Sequence, residues 1–225
     1  VPAKQKSNPA KKRILIVDDH PMMRQGLAQL IGSEPDLSVC WEADDAGQAL
    51  DLLAKQKPDL ILVDISLPDR NGLELIKDIH VLCPDALILV VSMHDESLYA
   101  ERVLRAGARG YIMKQEGGKK LMTAVRQVLG GQIFVSEKMS ARILEIFSGR
   151  RDGASSPVAK LSDREFEVFQ LIGRGKGTRE IANHLRLSVK TVEVHRANIK
   201  KKLDLKTATD LVRQAVRWAE AQGAS

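Results

Sequence analysis

Asp18 and Asp19 stand side by side where the apolar run ILIV (14–17) ends. Asp64 closes a second run, DLILVD (59–64), while Ser92 and Lys114 follow two more, ALILVV (86–91) and GYIM (110–113). Adjacent carboxylates repel, and three gathered at one place would raise one another's pKa. A divalent, oxygen-seeking cation relieves that repulsion. Mg2+ fits best, because it takes a few carboxylates and keeps waters that a phosphate can replace. A carboxylate nucleophile, a cation, a hydroxyl and an ammonium around one point are the equipment for phosphoryl transfer to an aspartate. Asp64 is the natural nucleophile, since it stands alone at its strand end and faces the pair. Taken singly, each residue has an ordinary reading, because an Asp at a strand end is often a helix cap or turn former.

The chemistry therefore depends on what brings these positions together. Residues 13–130 alternate short apolar runs with amphipathic stretches. The strands expected are 14–18, 37–42, 59–64, 86–91 and 110–113, each followed by a helix such as MMRQGLAQLI or GLELIKDIHVL. Five β–α units imply a parallel sheet covered by helices on both faces, an arrangement that resembles the flavodoxin-like (βα)5 domains. Leu50, Leu53 and Ala54 have the spacing of a buried helix stripe. In strand order 2-1-3-4-5 the first and third strands are neighbours, and ligands bind at the carboxyl ends near that switch point. DISLPDRNG (64–72) then turns the chain, with Pro68 fixing φ and Gly72 free to take a positive φ. His20 and His94 lie near the site without an evident partner and read as surface or loop histidines. Cys40 and Cys83 read as inert packing residues.

VDDH, then D-x-x-x-P-x-x-x-G from Asp64, then VSMHD, then GYIMK resemble the receiver domain of bacterial two-component response regulators, over about residues 12–130. The resemblance implies that Asp64 accepts phosphate from a sensor histidine kinase. It implies that Asp19, Asp64 and the backbone carbonyl of Ser66 bind Mg2+ directly, with Asp18 acting mostly through metal-bound water. It makes Ser92 and Lys114 the holders of the phosphoryl oxygens and Tyr111 a rotating switch aromatic. Gln115 departs from the pattern, since many receivers carry proline after the lysine.

The rest of the chain is different in kind. Residues 1–11 read as a basic, disordered lead-in rather than a secretory signal. A linker is expected over 131–159, with a helix at 136–149 and a flexible polar stretch, RRDGASSPVAK (150–160). Residues 160–225 read as an all-α, four-helix block. Ser162 with Glu165 fits a capping box, and Thr178, Ser188 and Thr207 are further N-cap candidates. Within this block, 178–197 reads as helix, turn, helix, with Leu187 buried at the turn. On the second helix Val192, His195, Ile199 and Leu203 form the inward face. Lys190, Glu193, Val194, Ala197 and Lys201 lie opposite. In a major groove Val194 could touch a thymine methyl and Glu193 accept from a cytosine amino group. Thr191 belongs to the same contact set, and Lys190, Lys200, Lys201 and Lys202 would meet phosphates.

L-S-D-R-E-x-E-V (161–168), G-x-x-x-x-E-I-A (175–182) and K-T-V-x-V-H-x-x-N-I-x-x-K-L (190–203) resemble the LuxR-type (NarL/FixJ) DNA-binding domain. The resemblance makes His195 a core residue and gives the last helix the dimer contact, with Leu211, Ala215 and Trp218 on its apolar side and part of that stripe also packing inside the domain. Glu193 stands where lysine is common.

Charge follows the same division. Residues 159–225 carry 14 Lys+Arg against 8 Asp+Glu, whereas 13–130 carry 13 against 18. A basic block beside an acidic one points to a polyanion partner. No apolar run approaches a membrane span. Two cysteines without a CxxC or Cys/His cluster give neither a disulfide framework nor a zinc site, so a cytoplasmic protein is expected. GRGKGT (173–178) lacks the spacing and the preceding strand of a phosphate loop.

The expected function is a Mg2+-dependent, phosphorylation-switched regulator that is not an enzyme. It would bind a double-stranded operator, an inverted repeat, as a homodimer when phosphorylated. Two other readings stay open at this point. A Mg2+-dependent phosphatase using Asp64 should carry D-x-D-x-[TV], but Ile65 and Ser66 follow Asp64. A constitutive DNA-binding protein could keep the receiver as a dimerisation scaffold.

Overall fold

A computed structural model describes residues 11–68, 70–147 and 157–223. The chain forms two compact units, one ending at Ile143 and the other beginning at Leu144. Most of the stretch expected to be flexible, 150–156, lies outside the described residues, as does the lead-in 1–10.

The first unit is a five-stranded parallel sheet, as the five apolar runs predict, in the order β2-β1-β3-β4-β5 expected of a flavodoxin-like fold. Its strands are β1 (Lys12–Val17), β2 (Leu37–Ala43), β3 (Leu60–Val63), β4 (Leu87–Ser92) and β5 (Gly110–Met113). The helices between and after them are α1 (Pro21–Gly32), α2 (Ala46–Leu53), α3 (Gly72–Leu82), α4 (Glu96–Arg105) and α5 (Gly118–Leu129). Ile14, Ile16, Leu60, Leu62, Leu89, Val91 and Ile112 pack on one face with Leu27 and Ile31 of α1 and Leu121, Val125 and Val128 of α5. The alternating residues, among them Leu15, Val17, Ile61, Val63 and Val90, face the other way and are equally buried. Strands covered on both faces have no place for polar alternation, which is why they read as unbroken apolar runs.

Register decides the site. Val17 of β1 pairs with Val63 of β3, so Asp18 and Asp64 leave the sheet side by side. Ser92 of β4 pairs with Met113 of β5, immediately before Lys114. Asp45, Asn71 and Asp95 cap α2, α3 and α4 with their side chains, which anchors the loops that carry the site.

Three local expectations change. The buried stripe of α2 is Ala46, Ala49 and Leu53, whereas Ala54 is the exposed C-cap. Gly72 does not take a positive φ; it is needed for close approach. A Cβ there would meet the Asp64 carbonyl oxygen at 2.3 Å and the Ile65 Cα at 2.7 Å. Cys40 is exposed rather than packed, because it is the extra residue at a register shift on the edge strand β2. Cys83 is half-buried at the end of α3.

Helix α6 (Glu137–Phe147) follows Ser136. The Ser136 hydroxyl accepts the Met139 N–H at 3.2 Å, and its own N–H donates to the Glu96 carboxylate at 2.7 Å. The Arg142 guanidinium donates to the Ser97 carbonyl at 3.3 Å. The start of this helix is thus tied to the first turn of α4.

The second unit holds a short 3-10 turn (Pro157–Lys160), then α7 (Asp163–Gly173), α8 (Thr178–His184), α9 (Val189–Lys202) and α10 (Ala208–Gly223). Phe166, Val168, Phe169, Ile172, Ile181, Val192, Ile199, Leu211 and Ala215 form its core. Gly173 lets α7 and α10 touch, since a Cβ there would lie 2.6 Å from the Ala215 carbonyl oxygen. The capping box of Ser162 and Glu165 is present, and Ser188 and Thr207 cap their helices. Thr178 does not cap: Gly177 takes that position, and its N–H donates to Glu180 at 2.8 Å. The α8–α9 turn closes through Arg186, at φ 52°, with the Leu187 N–H on the Ala182 carbonyl at 2.8 Å. Leu187 is half-buried there, not fully.

Candidate functional site

At the carboxyl ends of β1 and β3 the structure gathers Asp18 and Asp64, both almost fully buried, and the half-buried Asp19. The ammonium of Lys114 lies between two of them, 2.6 Å from Asp18 and 2.7 Å from Asp64. Burial works against that charge, but the two carboxylates outweigh it and hold the lysine above its ordinary pKa. Lys114 is therefore a fixed cation. One ammonium cannot balance three carboxylates, and the two negative charges left over match a divalent ion. Asp18, Asp19, His20 and Asp64 each offer one donor atom, all within 4.8 Å of one another. Hard oxygen donors predominate, so the residues fit Mg2+.

Ser92 is fully buried beside this cluster, and its hydroxyl accepts the His94 N–H at 3.2 Å. Tyr111 is also fully buried. Its hydroxyl donates to the His94 carbonyl at 2.8 Å. Burial pushes the phenol well above its ordinary pKa, so it remains a donor. Ser66 donates its N–H to the Asp64 carboxylate at 3.2 Å.

Both histidines have partners that their sequence positions did not reveal. The His20 ring lies 2.7 Å from Asp19 and 3.3 Å from Asp18. His94 spans two loops: its Nε2 is 2.9 Å from the Ser66 hydroxyl and its ring stacks on Tyr99. Ser66 lies two residues beyond Asp64, and His94 two residues beyond Ser92. That shared offset on neighbouring strands was the available signal.

In the second unit, α9 presents Lys190, Glu193, Val194, Ala197 and Lys201 to solvent, with Thr191 and Lys200 half-exposed at the edges. The Thr191 hydroxyl is hydrogen-bonded to the Ser188 hydroxyl at 2.8 Å, so it serves the helix start. Val192 and Ile199 are buried on the opposite side, and His195 is half-buried there. Burial first, then the Arg164 charge, lowers the His195 pKa, which favours the neutral ring. Lys202 differs from its lysine neighbours. It donates to the buried Glu165 at 2.6 Å, and although burial opposes the Glu165 charge, that contact and the Ser162 N–H hold the acid below its usual pKa. Lys202 thus braces α9 against α7. On α10, Leu211 and Ala215 are fully buried, and Trp218 packs edge-on against Phe166 and Phe169. As expected of part of that stripe, Leu211 and Ala215 pack inside the domain, while Trp218 stays half-buried. Val212, on another face, is exposed.

Residues 14–126 match the family of response regulator receiver domains. Residues 159–215 match the luxR family of bacterial regulatory proteins. The chain belongs to the two-component response regulators with a LuxR-type DNA-binding domain. It is 36% identical over 210 residues to the oxygen regulatory protein NreC of Staphylococcus haemolyticus, covering 91% of this chain and 97% of that one. NreC of Staphylococcus aureus is 37% identical over the same span. Among solved structures, RcsB of Salmonella enterica serovar Typhimurium, bound to promoter rprA with the phosphomimetic BeF3-, matches with TM-score 0.63 and 26% identity, over 90% of this chain and 97% of that one. A LuxR-family response regulator from Aurantimonas matches at 34% identity and TM-score 0.57, over 62% of this chain. Membership also weighs against the phosphatase reading, since the family is one of transcriptional regulators. Among the described residues, no helix of this regulator is long and apolar enough to cross a membrane.

Proposed function

We propose that Asp64 is the phosphoacceptor of this response regulator and that its phosphorylation controls sequence-specific DNA binding by residues 160–225. The observation that carries the proposal is the double contact of Lys114 with Asp18 and Asp64 in an acidic, buried pocket. Asp64 attacks the phosphorus of a phosphohistidine on a sensor kinase; the P–N bond breaks, and a P–O bond to the carboxylate forms. Asp18, Asp19, Asp64 and the Ser66 carbonyl would hold Mg2+, which when bound supplies positive charge for the phosphoryl oxygens. Lys114 then turns from a carboxylate partner into a partner of the phosphoryl group, and the Ser92 hydroxyl donates to a second phosphoryl oxygen. Because the Ser92 hydroxyl accepts the His94 N–H while it donates to the phosphoryl group, it couples that group to the loop held by Tyr111 and so to α4.

The DNA-binding domain then docks α9 in the major groove. Lys190, Lys200 and Lys201 meet phosphates, while Thr191, Glu193, Val194 and Ala197 lie nearest the bases. An acidic receiver and a basic reader attract each other, which favours a resting form in which the reader is held back. Phosphorylation releases it to form a homodimer on an inverted repeat in the cytoplasm.

Intact mass after incubation with acetyl phosphate and Mg2+ tests the acceptor. Wild type should gain one phosphoryl group, and Asp64→Asn, or wild type without Mg2+, should gain none. A folded wild-type chain that gains nothing overturns the proposal in favour of a receiver serving as a scaffold.

A further inference from the structure

The exposed face of α9 carries a carboxylate where a surface bound for a polyanion should be basic. At 3.6 residues per turn, Lys190, Glu193, Val194, Ala197 and Lys201 fall on one stripe. Lysines occupy its two ends, and the centre holds Glu193, the small Ala197 and Val194, whose side is half exposed at 52%. Arg196 attracts Glu193, but among the described residues no hydrogen bond or ion pair holds that carboxylate. Thr191 is engaged at the helix cap and Lys202 with Glu165. The centre itself holds no Arg, Lys, Asn or Gln to make the paired contacts by which those residues read a purine; the exposed Asn198, one turn beyond Val194, lies at the edge of the stripe.

Resting on the DNA-binding reading above, we infer that Glu193 makes this regulator select cytosine at one fixed position of each half-site, with Val194 favouring thymine beside it. Phosphates repel a carboxylate, so within the groove Glu193 is stable only against an amino group on a base edge. Two bases offer one there. Adenine's amino group lies between two acceptors, its own N7 and the O4 of the paired thymine, which repel a carboxylate from both sides, whereas cytosine's N4 amino group is flanked by an acceptor on one side only, the O6 of the paired guanine. The valine methyls have only the thymine methyl as an apolar partner.

The inference is tested by selecting binding sites from randomised duplexes with the full-length chain, with and without acetyl phosphate, for wild type, Glu193→Gln, Glu193→Lys and Val194→Ala. Wild type should retrieve a motif with cytosine at one position of each half-site, preferred about tenfold over the other bases. Glu193→Gln should move that position to adenine and Glu193→Lys to guanine, with the rest of the motif unchanged. Val194→Ala should weaken the neighbouring thymine only. A wild-type motif that is the same in both Glu193 variants, or that has no such cytosine, overturns the inference and leaves DNA binding intact. No motif in either state, for any protein, overturns the DNA-binding reading itself.

Discussion

The Glu96 carboxylate at the start of α4 accepts the backbone N–H of Ser136 at the start of α6, at 2.7 Å. Glu96 lies two residues after His94, whose carbonyl takes the Tyr111 hydroxyl and whose ring reaches Ser66. The hydrogen bond therefore joins the loop beside the acidic pocket to the helix that leads out of the first unit. Glu96→Ala should free the Ser136 amide and raise its hydrogen-exchange rate roughly tenfold, the equivalent of about one hydrogen bond. Mass-detected exchange on peptides covering 134–140 would show it. Unchanged exchange there would mean that α6 is held by other contacts.

Lys114 is the one buried ammonium among the described acids of the pocket, with only 6% of its side chain exposed. Replacing it by methionine leaves buried carboxylates without their cation. Breaking one partner of a buried ion pair costs about 3–5 kcal/mol, and a cation that binds only the folded state recovers part of it. Lys114→Met should lower the urea midpoint in the absence of divalent ions, and millimolar Mg2+ should raise it more in the variant than in wild type. Equal Mg2+ effects on both proteins would sink the charge-balance account of the pocket.

Gly72 has no room for a side chain against the Asp64 and Ile65 backbone. Gly72→Ala must push α3 away from the loop that carries Asp64. A destabilisation of about 1–3 kcal/mol is expected for such overpacking, with slower labelling by acetyl phosphate. Denaturant midpoints and mass-detected labelling rates measure the two effects. A variant labelled at the wild-type rate would show that Asp64 tolerates the shift.

His195 has a folded-state pKa below the ordinary 6.5, through burial and Arg164. The unfolded chain therefore binds the extra proton first as pH falls. The stability this group contributes is complete above the ordinary value and is lost as pH falls through the folded one. In a Trp41→Phe background, Trp218 fluorescence reports the second unit alone, because the sequence has two tryptophans. His195→Gln should reduce the stability difference between pH 7.5 and pH 5.5. An unchanged difference would assign the acid sensitivity to carboxylates such as Glu165 instead.

Much of this regulator was legible in the chain itself. The sheet order rests on likeness to flavodoxin-like domains, since patterning and crossover handedness allow several orders, whereas the five apolar runs and their doubly buried character follow from hydrophobic patterning, which is a local property. The strand-end positions of Asp18, Asp64, Ser92 and Lys114 are legible for the same reason, as are the Ser162, Ser188 and Thr207 caps, whose partners lie three residues away. What the tertiary structure alone decided are contacts between residues far apart in sequence. The bridge from His94 to Ser66, the tie from Glu96 to Ser136 and the bracing of Glu165 by Lys202 span 28, 40 and 37 residues. No periodicity encodes such pairs, because each depends on where packed elements place their ends. The same holds for Gly72, which looked like a turn glycine and is in fact a contact glycine, and for the edge-on packing of Trp218 of α10 against Phe166 and Phe169 of α7.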